Sequence, residues 1–372
     1  MKPVSRPTWV EIDLAALQHN FNAIRTKLGQ ACEVLAVVKA DAYGHGVRQV
    51  APALAEAGTA QFGVALVEEG IELRQLDIEQ PIVVLGGVFP GEESLVLEHN
   101  LTPVIYDMES ARRLAAACGE GQAVDYHLKV DTGMGRLGFR LERLPQVLAE
   151  LKALPQLRMV GLMSHLAVAD ESSNPFTLRQ YESFRGVIEQ VEQAGFSPRY
   201  RHIANSAGTY AQELAGCTLV RPGIALYGGL VDEPFNELAS QRPVMSFHSS
   251  IAQLKDVPAG EGVSYGHRFT TSRPSRLAAL PVGYADGYNR LLSNCGSVLI
   301  KGHRAPVVGT VCMDWILVDV TDIPQAQVGD QVTLIGRDGD AVITAEEWAE
   351  KIGSINYEVF CQVSKRVPRV FV

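Results

Sequence analysis

A chain of 372 residues is too long for one ordinary domain and suits two, and with 47% hydrophobic residues it can bury sizeable cores. A formal charge of -9 argues against nucleic-acid or anionic-membrane partners, which call for dense lysine and arginine. No apolar run reaches membrane-spanning length, and the first seven residues lack a signal-peptide core, so a soluble cytoplasmic protein is expected. The six cysteines form no CxxC pair, which indicates neither a disulfide framework nor a metal site, and most are expected to be small buried hydrophobes.

Thr8–Ile12 alternates like a half-buried strand, and Asp13 can cap a helix through Leu14, Leu17, Phe21 and Ile24 that stops at Gly29. Strand-like apolar runs then recur at Val34–Lys39, Phe62–Leu66, Ile82–Gly86, Thr102–Ile105, Tyr126–Asp131, Met159–Ser164, Tyr200–Ile203 and Leu219–Tyr227. Helical periodicity fills Val47–Ala57, Glu68–Gln75, Glu109–Ala117, Glu142–Lys152 and Phe176–Ala194. Eight strands with helical crossovers make a (β/α)8 barrel; an open doubly wound sheet is disfavoured because no GxGxxG turn follows the first strand. Pro234, Asn236, Ser240 and Pro243 mark a linker within Leu230–Pro243. Beyond it, β-branched runs at Ser249–Leu254, Arg276–Pro281, Val298–Lys301, Val307–Val311, Ile316–Val320 and Val332–Ile335 predict a mostly-β domain with one clear helix, introduced by Thr344. The domains are therefore expected at 13–237 and 238–372, the second joined by the N-terminal strand 1–12.

The run Val34–Lys39 sends an unbroken apolar strand into a lysine at its carboxyl end, where barrels keep their active sites. In an extended chain Asp41 would point the same way and pair with Lys39; the sharper alternative is a lysine whose amine attacks a carbonyl. Lys129 and Asp131, Ser164 and His165, Asn205 and Ser206, and Arg221 fall at the ends of later strands, and their convergence on one rim favours an active site. Gly223 and Ile224 beside Ser206 offer backbone N–H groups where barrels often hold phosphate, though a bend after Pro222 explains them equally well. A phosphate site, a lysine and a strand-end arginine together suggest pyridoxal phosphate. In the β domain Tyr265, Tyr284 and Tyr288 lie between glycines, and Gly309–Asp314 is expected to end a strand in an acid.

The run Ala36-Val37-Val38-Lys39-Ala40-Asp41-Ala42-Tyr43-Gly44-His45-Gly46 resembles the cofactor-attachment signature of bacterial alanine racemases. The resemblance extends in order through Lys129–Gly138, Ser164-His165, Asn205-Ser206, Arg221–Ile224, Tyr265, Tyr284–Tyr288, Thr310–Asp314 and Ile355–Glu358. Asp41 stands where many members have asparagine. The resemblance implies pyridoxal 5'-phosphate on Lys39, racemisation of L-alanine and D-alanine, a supply of D-alanine for peptidoglycan, and a homodimer with shared active sites. It implies Lys39 as the base on one face of the substrate and Tyr265 of the partner subunit on the other, with His165 between that tyrosine and Arg221. Tyr43, Ser206, Gly223, Ile224 and Tyr357 would bind the phosphate, and Arg136 with the backbone of Met313 the substrate carboxylate. Lys129 would be carbamylated and paired with Arg136, the plain alternative being an ion pair with Asp131. Tyr284, Arg290 and Asp314 would line the substrate entrance.

Arg221 separates this reading from its rivals. A guanidinium has no acceptor and keeps its proton, so a ring nitrogen facing it must accept a hydrogen bond and stay unprotonated. Such a ring is a weak electron sink, which suits racemisation and suppresses transamination. A fold-related decarboxylase would be expected to place a carboxylate there, and a non-catalytic carrier of the cofactor would be a barrel alone. A racemase of broader or serine specificity stays open.

Overall fold

The protein is described from a computed structural model that covers residues 6–30, 32–171, 173–210, 216–229 and 241–372. Leu230, Pro234, Asn236 and Ser240 of the expected linker lie outside the described residues, as does the expected boundary at 237/238. The chain divides into two compact units, one of Leu17–Ala42 and Val47–Arg242, the other of Met1–Ala16, Tyr43–Gly46 and Pro243–Val372.

Strand β1 (Thr8–Ile12) opens the described chain, and the first unit is then built on β2 (Glu33–Val37), β3 (Gln61–Val64), β4 (Ile82–Val84), β5 (Thr102–Ile105), β6 (Val124–Asp131), β7 (Phe139–Arg140), β8 (Leu157–Met163), β9 (Tyr200–His202) and β10 (Leu219–Val220). The order β10-β2-β3-β4-β5-β6-β8-β9 is parallel throughout, with β7 attached to β6. Thr218 N donates to Arg201 O at 2.9 Å and Arg221 N to Ala204 O at 3.0 Å, bringing the two ends of the ring together as a nearly closed TIM-like barrel.

Helices make the crossovers the apolar periodicity predicts, among them Val47–Glu56, Val67–Arg74, Met108–Ala117, Leu144–Lys152 and Phe176–Gln193. Ahead of them, Asp13 Oδ1 accepts from Ala16 N at 2.8 Å to start Leu14–Leu28, and Gly29 at φ 63° turns the chain after it. The eighth predicted strand is corrected: it ends at Val220 because Pro222 has no N–H to give a ladder, and Ile224–Tyr227 coils into a 3-10 turn.

Cross-strand neighbours share a face. The register Val104↔His127↔Gly161↔Tyr200, with Lys129↔Met163↔His202 two residues on, therefore sets His127, Lys129 and His202 on one side of the sheet. All three are buried, as is Arg221 beyond β10, in a fold whose interior is ordinarily filled by branched aliphatics. That polar interior positions the site described below.

The second unit contains β11 (Met245–Ser250), β12 (Gln253–Val257), β13 (Gly262–Val263), β14 (Phe269–Thr270), β15 (Ser275–Leu280), β16 (Ser297–Ile300), β17 (His303–Pro306), β18 (Ile316–Asp319), β19 (Gln331–Asp338), β20 (Ala341–Ile343) and β21 (Arg369–Phe371). One sheet runs β17-β16-β19-β11-β1-β21, in which β1 is antiparallel to β11 and parallel to β21, and another runs β12-β15-β18. Lying between two neighbours, β1 buries Thr8, Trp9, Val10 and Ile12, more than a half-buried strand would.

Three expectations are corrected in this unit. Ser249–Leu254 is two strands separated at Ile251–Ala252, and Val307–Val311 keeps only an isolated bridge from Val307 to Val318, so Gly309–Asp314 is a loop rather than a strand end. Beside the helix Ala345–Ile352, whose Thr344 cap accepts from Glu347 N, stands a second helix, Asn356–Gln362, too short to show a periodicity. Of the cysteines only Cys32 and Cys217 are buried, while Cys295 and Cys361 are exposed, because Cys295 sits on a surface turn and Cys361 on the face of the helix Asn356–Gln362 away from its buried residues Asn356, Val359 and Phe360. Among the described residues no helix is long and apolar enough to cross a membrane.

Candidate active site

Lys39 follows β2 by two residues and begins a left-handed turn: Ala40, Asp41 and Ala42 have φ/ψ near 54°/50°, and Tyr43 has φ 54°. Four consecutive non-glycine residues in this region cost roughly 1–2 kcal/mol each. The turn is held by neighbours. Ala42 N bonds Val38 O at 2.9 Å, and the Glu69 carboxylate accepts from Ala40 N at 2.7 Å, Ala65 N at 2.7 Å and Leu66 N at 3.2 Å. The expected pairing of Asp41 with Lys39 is corrected here: the chain is coiled rather than extended, and Asp41 Oδ1 instead accepts from Val47 N at 2.7 Å, capping the next helix.

Arg221 is the hub of the barrel site. Its Nη1 donates to His202 Nδ1 at 2.8 Å and His202 O at 3.0 Å, and its Nη2 to Ser164 O at 2.8 Å, His165 Nδ1 at 3.0 Å and Ile203 O at 3.2 Å. The four Nη hydrogens are thus committed, and the Nε–H alone has no protein partner among the described residues. Because Arg221 can only donate, His165 must accept at Nδ1 and carry its proton on Nε2. Burial first, then Arg221, Arg136, Lys129 and Lys39, push the His165 pKa down to about 2, so the ring is neutral. Gln180, inside the helix Phe176–Gln193, braces the loop by donating to His165 O at 2.9 Å and accepting from Ala167 N at 2.9 Å.

Lys129 projects from β6 with 6% of its surface exposed. Burial, with Arg221 and Arg136 next, holds its ammonium down to about 8; Asp131 opposes the shift and Lys39 adds to it. Asp131 does not pair with it: its carboxylate accepts from Gly133 N at 2.9 Å and Gly135 N at 3.1 Å, and no ion pair joins it to Lys129 among the described residues. Arg136 is exposed in the glycine-rich turn, with no hydrogen bond or ion pair to a described residue. Lys129, Arg136 and Arg221, none of them ion-paired among the described residues, thus make an excess of positive charge that calls for anions.

Ser206 follows the capping Asn205, which accepts from Gly208 N at 2.9 Å. Its Oγ accepts from Gly223 N at 2.9 Å and Ala225 N at 3.2 Å, so the expectation that Gly223 offers its N–H outward is corrected. What remains to donate is the Ser206 hydroxyl hydrogen and the buried Ile224 N–H, which has no acceptor among the described residues.

The other sequence-predicted residues belong to the β unit. Tyr43 is buried, its phenol pKa raised by burial and then by Tyr357, whose ring centroid is 6.0 Å away. A side chain on Gly44 would lie 2.3 Å from Phe360 O, so that position requires glycine. Tyr265 stands 74% exposed on a short 3-10 turn whose backbone is fixed: Thr310 Oγ1 donates to Tyr265 O at 2.7 Å and Ser264 Oγ to Thr310 O at 2.6 Å. It borders a concavity of about 660 Å³ that also includes Lys255, His267, Cys312 and Trp315.

Tyr284 and Met313 are exposed on adjoining segments, joined by bonds from Tyr284 N to Cys312 O and Ala285 N to Met313 O, both 3.0 Å. The Met313 N–H has no partner among the described residues. Asp314 is bound by Arg366 at 2.6 Å, and Arg290 opens the 3-10 turn Arg290–Leu292.

Two family models span these units, "Alanine racemase, N-terminal domain" over residues 12–231 and "Alanine racemase, C-terminal domain" over 244–371. The chain belongs to the alanine racemase family. It is 46% identical to the alanine racemase of Geobacter sulfurreducens across 99% of this chain and 98% of that one. Among solved structures it is similar to the alanine racemase of Bacillus anthracis with bound L-Ala-P, at a TM-score of 0.93 and 35% identity, covering 100% of this chain and 96% of that one. It is similar also to the Bartonella henselae alanine racemase with covalently bound pyridoxal phosphate, at 0.90 and 31%, covering 98% and 99%. Beyond the residues expected of an alanine racemase, the structure adds Glu69 under the Lys39 turn, Gln180 behind His165, His202 on Arg221 and Arg366 on Asp314. Only Glu69 left a signal, as a glutamate at the third position of a helix.

Proposed function

We propose that the chain interconverts L-alanine and D-alanine with pyridoxal phosphate held on Lys39, in the cytoplasm, supplying D-alanine for peptidoglycan. The observation that carries this is Arg221: all its Nη hydrogens are used by the protein, and one Nε–H is left for a ring nitrogen that must be unprotonated. The barrel residues fit the cofactor, since the excess cationic charge, the Ser206 hydroxyl and the orphaned Ile224 N–H suit a phosphate. When bound, pyridoxal phosphate supplies the electron-withdrawing ring that stabilises negative charge at the substrate α-carbon.

Lys39 then serves as base or acid on one face of that carbon, and Tyr265 of the partner subunit on the other. Neutral His165, with its proton on Nε2, donates to the phenol oxygen and favours the phenolate, lowering a pKa that is ordinarily about 10. Arg136 and the Met313 N–H receive the carboxylate. Tyr43, Ser206, Gly223, Ile224 and Tyr357 would bind the phosphate, Gly223 through its hold on Ser206, while Tyr284, Arg290 and Asp314 would line the entrance. Lys129, held down to about 8, exposes a far larger share of the neutral amine that carbamylation requires than an ordinary lysine does, and the carbamate would face Arg136.

The same reading divides the chain into a barrel at 13–237 and a β domain at 238–372 completed by strand 1–12, which the pairing of β1 with β11 and β21 supports. The exposed phenol of Tyr265 on its braced turn supports a homodimer in which each site joins two chains. Mixing inactive Lys39→Ala and Tyr265→Phe proteins under subunit exchange tests it. One site of each hybrid would keep both groups and regain activity; inactivity, with hybrids confirmed by native mass spectrometry, refutes the shared site.

A further inference from the structure

Behind Arg221 the barrel interior holds two histidines that the reaction scheme does not use. His202 Nδ1 receives Arg221 Nη1 at 2.8 Å, and His202 Nε2 lies 2.8 Å from His127 Nδ1. Both imidazoles are fully buried. A guanidinium only donates, so His202 must accept at Nδ1 and carry its proton on Nε2; that proton makes His127 accept at Nδ1 and carry its own on Nε2. His127 Nε2 is buried with no hydrogen-bond partner among the described residues. The ring fills the space that a Cβ on Gly161 of β8 would need, 2.4 Å away, and the Tyr200 ring stacks beside it with centroids 5.9 Å apart.

We propose that His127 is a positioning residue: by accepting from His202 it fixes the tautomer that receives Arg221, and so holds the guanidinium with its Nε–H facing the cofactor ring. The inference rests on the proposed role of Arg221. Burial holds both rings neutral, pushing His127 down to about 3 and His202 well below its usual value, with Arg221 the next cause for each. A protonated His202 would have no acceptor to offer Arg221, so neutrality and tautomer act together.

Neutron diffraction from deuterium-exchanged holoenzyme crystals reads the hydrogens directly. Deuterium is expected on Nε2 of both His127 and His202 and on neither Nδ1; deuterium on either Nδ1 overturns the proposal. His127→Asn keeps an acceptor near the Nδ1 position and should leave kcat within about threefold, whereas His127→Leu strands the His202 donor and should lower kcat by about tenfold or more with little change in KM. Equal kcat losses in the two variants, or none in either, contradict a positioning role. A wild-type protein that binds no pyridoxal phosphate refutes the parent reading alone, since the hydrogen positions can be read from crystals without it.

Discussion

Arg221→Lys separates the charge of the hub from its shape. The guanidinium serves five protein acceptors, the carbonyl oxygens of Ser164, His202 and Ile203 and the Nδ1 atoms of His165 and His202, all within 3.2 Å. An ammonium has three hydrogens at a single point and can satisfy at most three of them. His202 O keeps its bond from Ser164 N at 3.1 Å, so at least one other acceptor is stranded in a buried site, and the variant should lose about 1–3 kcal/mol of stability. The positive charge is retained, so Lys129 and His165 should keep their depressed pKa values while kcat falls with the lost Nε–H. Urea unfolding followed by circular dichroism measures the first effect and steady-state racemisation the second. A variant within about 0.5 kcal/mol of the parent, with unchanged kcat, would show that charge alone suffices and that the fork geometry described here does not matter.

Borohydride reduction followed by peptide mapping should leave a pyridoxyl group on the Lys39 peptide, and its appearance on another lysine would sink the cofactor assignment. Arg221→Glu, once shown to retain cofactor, should allow ring protonation, slow racemisation and raise the ratio of pyruvate formed to alanine racemised; an unchanged ratio contradicts the weak-sink argument. Acid should destabilise the barrel. His127 and His165 are neutral in the folded state down to about 3 and about 2, and His202 is also well below its unfolded value near 6.5, so below that pH the unfolded chain binds protons the native chain refuses. Stability should fall as pH drops from about 6.5 toward 3, by about 1.4 kcal/mol per unit for each histidine; a flat urea midpoint between pH 7 and 5 would contradict three buried neutral rings.

Much of the barrel was legible because its strands are apolar runs bounded by helix caps, and the ends of those runs carry Lys39, Lys129, His165 and Arg221. The turn after Lys39 was not. Ala40-Asp41-Ala42-Tyr43 contains no glycine, and nothing local favours a left-handed path; the Glu69 and Asp41 carboxylates, accepting from the N–H groups of Ala40 and Val47, help hold it there. The His127–His202 pair was equally silent, since strand residues 75 positions apart meet only through the register of β6, β8 and β9. The second β-domain helix escaped because seven residues are too few for a period to show.

The central claim, that Lys39 and a tyrosine from the partner subunit work on opposite faces of one carbon, is tested most directly by incubating the purified protein with L-alanine in deuterium oxide. The account predicts D-alanine that carries α-deuterium from the earliest turnovers, because the group that returns the hydrogen is not the one that removed it. D-alanine that retains the substrate's own α-hydrogen would contradict two opposed groups, and no D-alanine at all, with cofactor bound, would contradict the function.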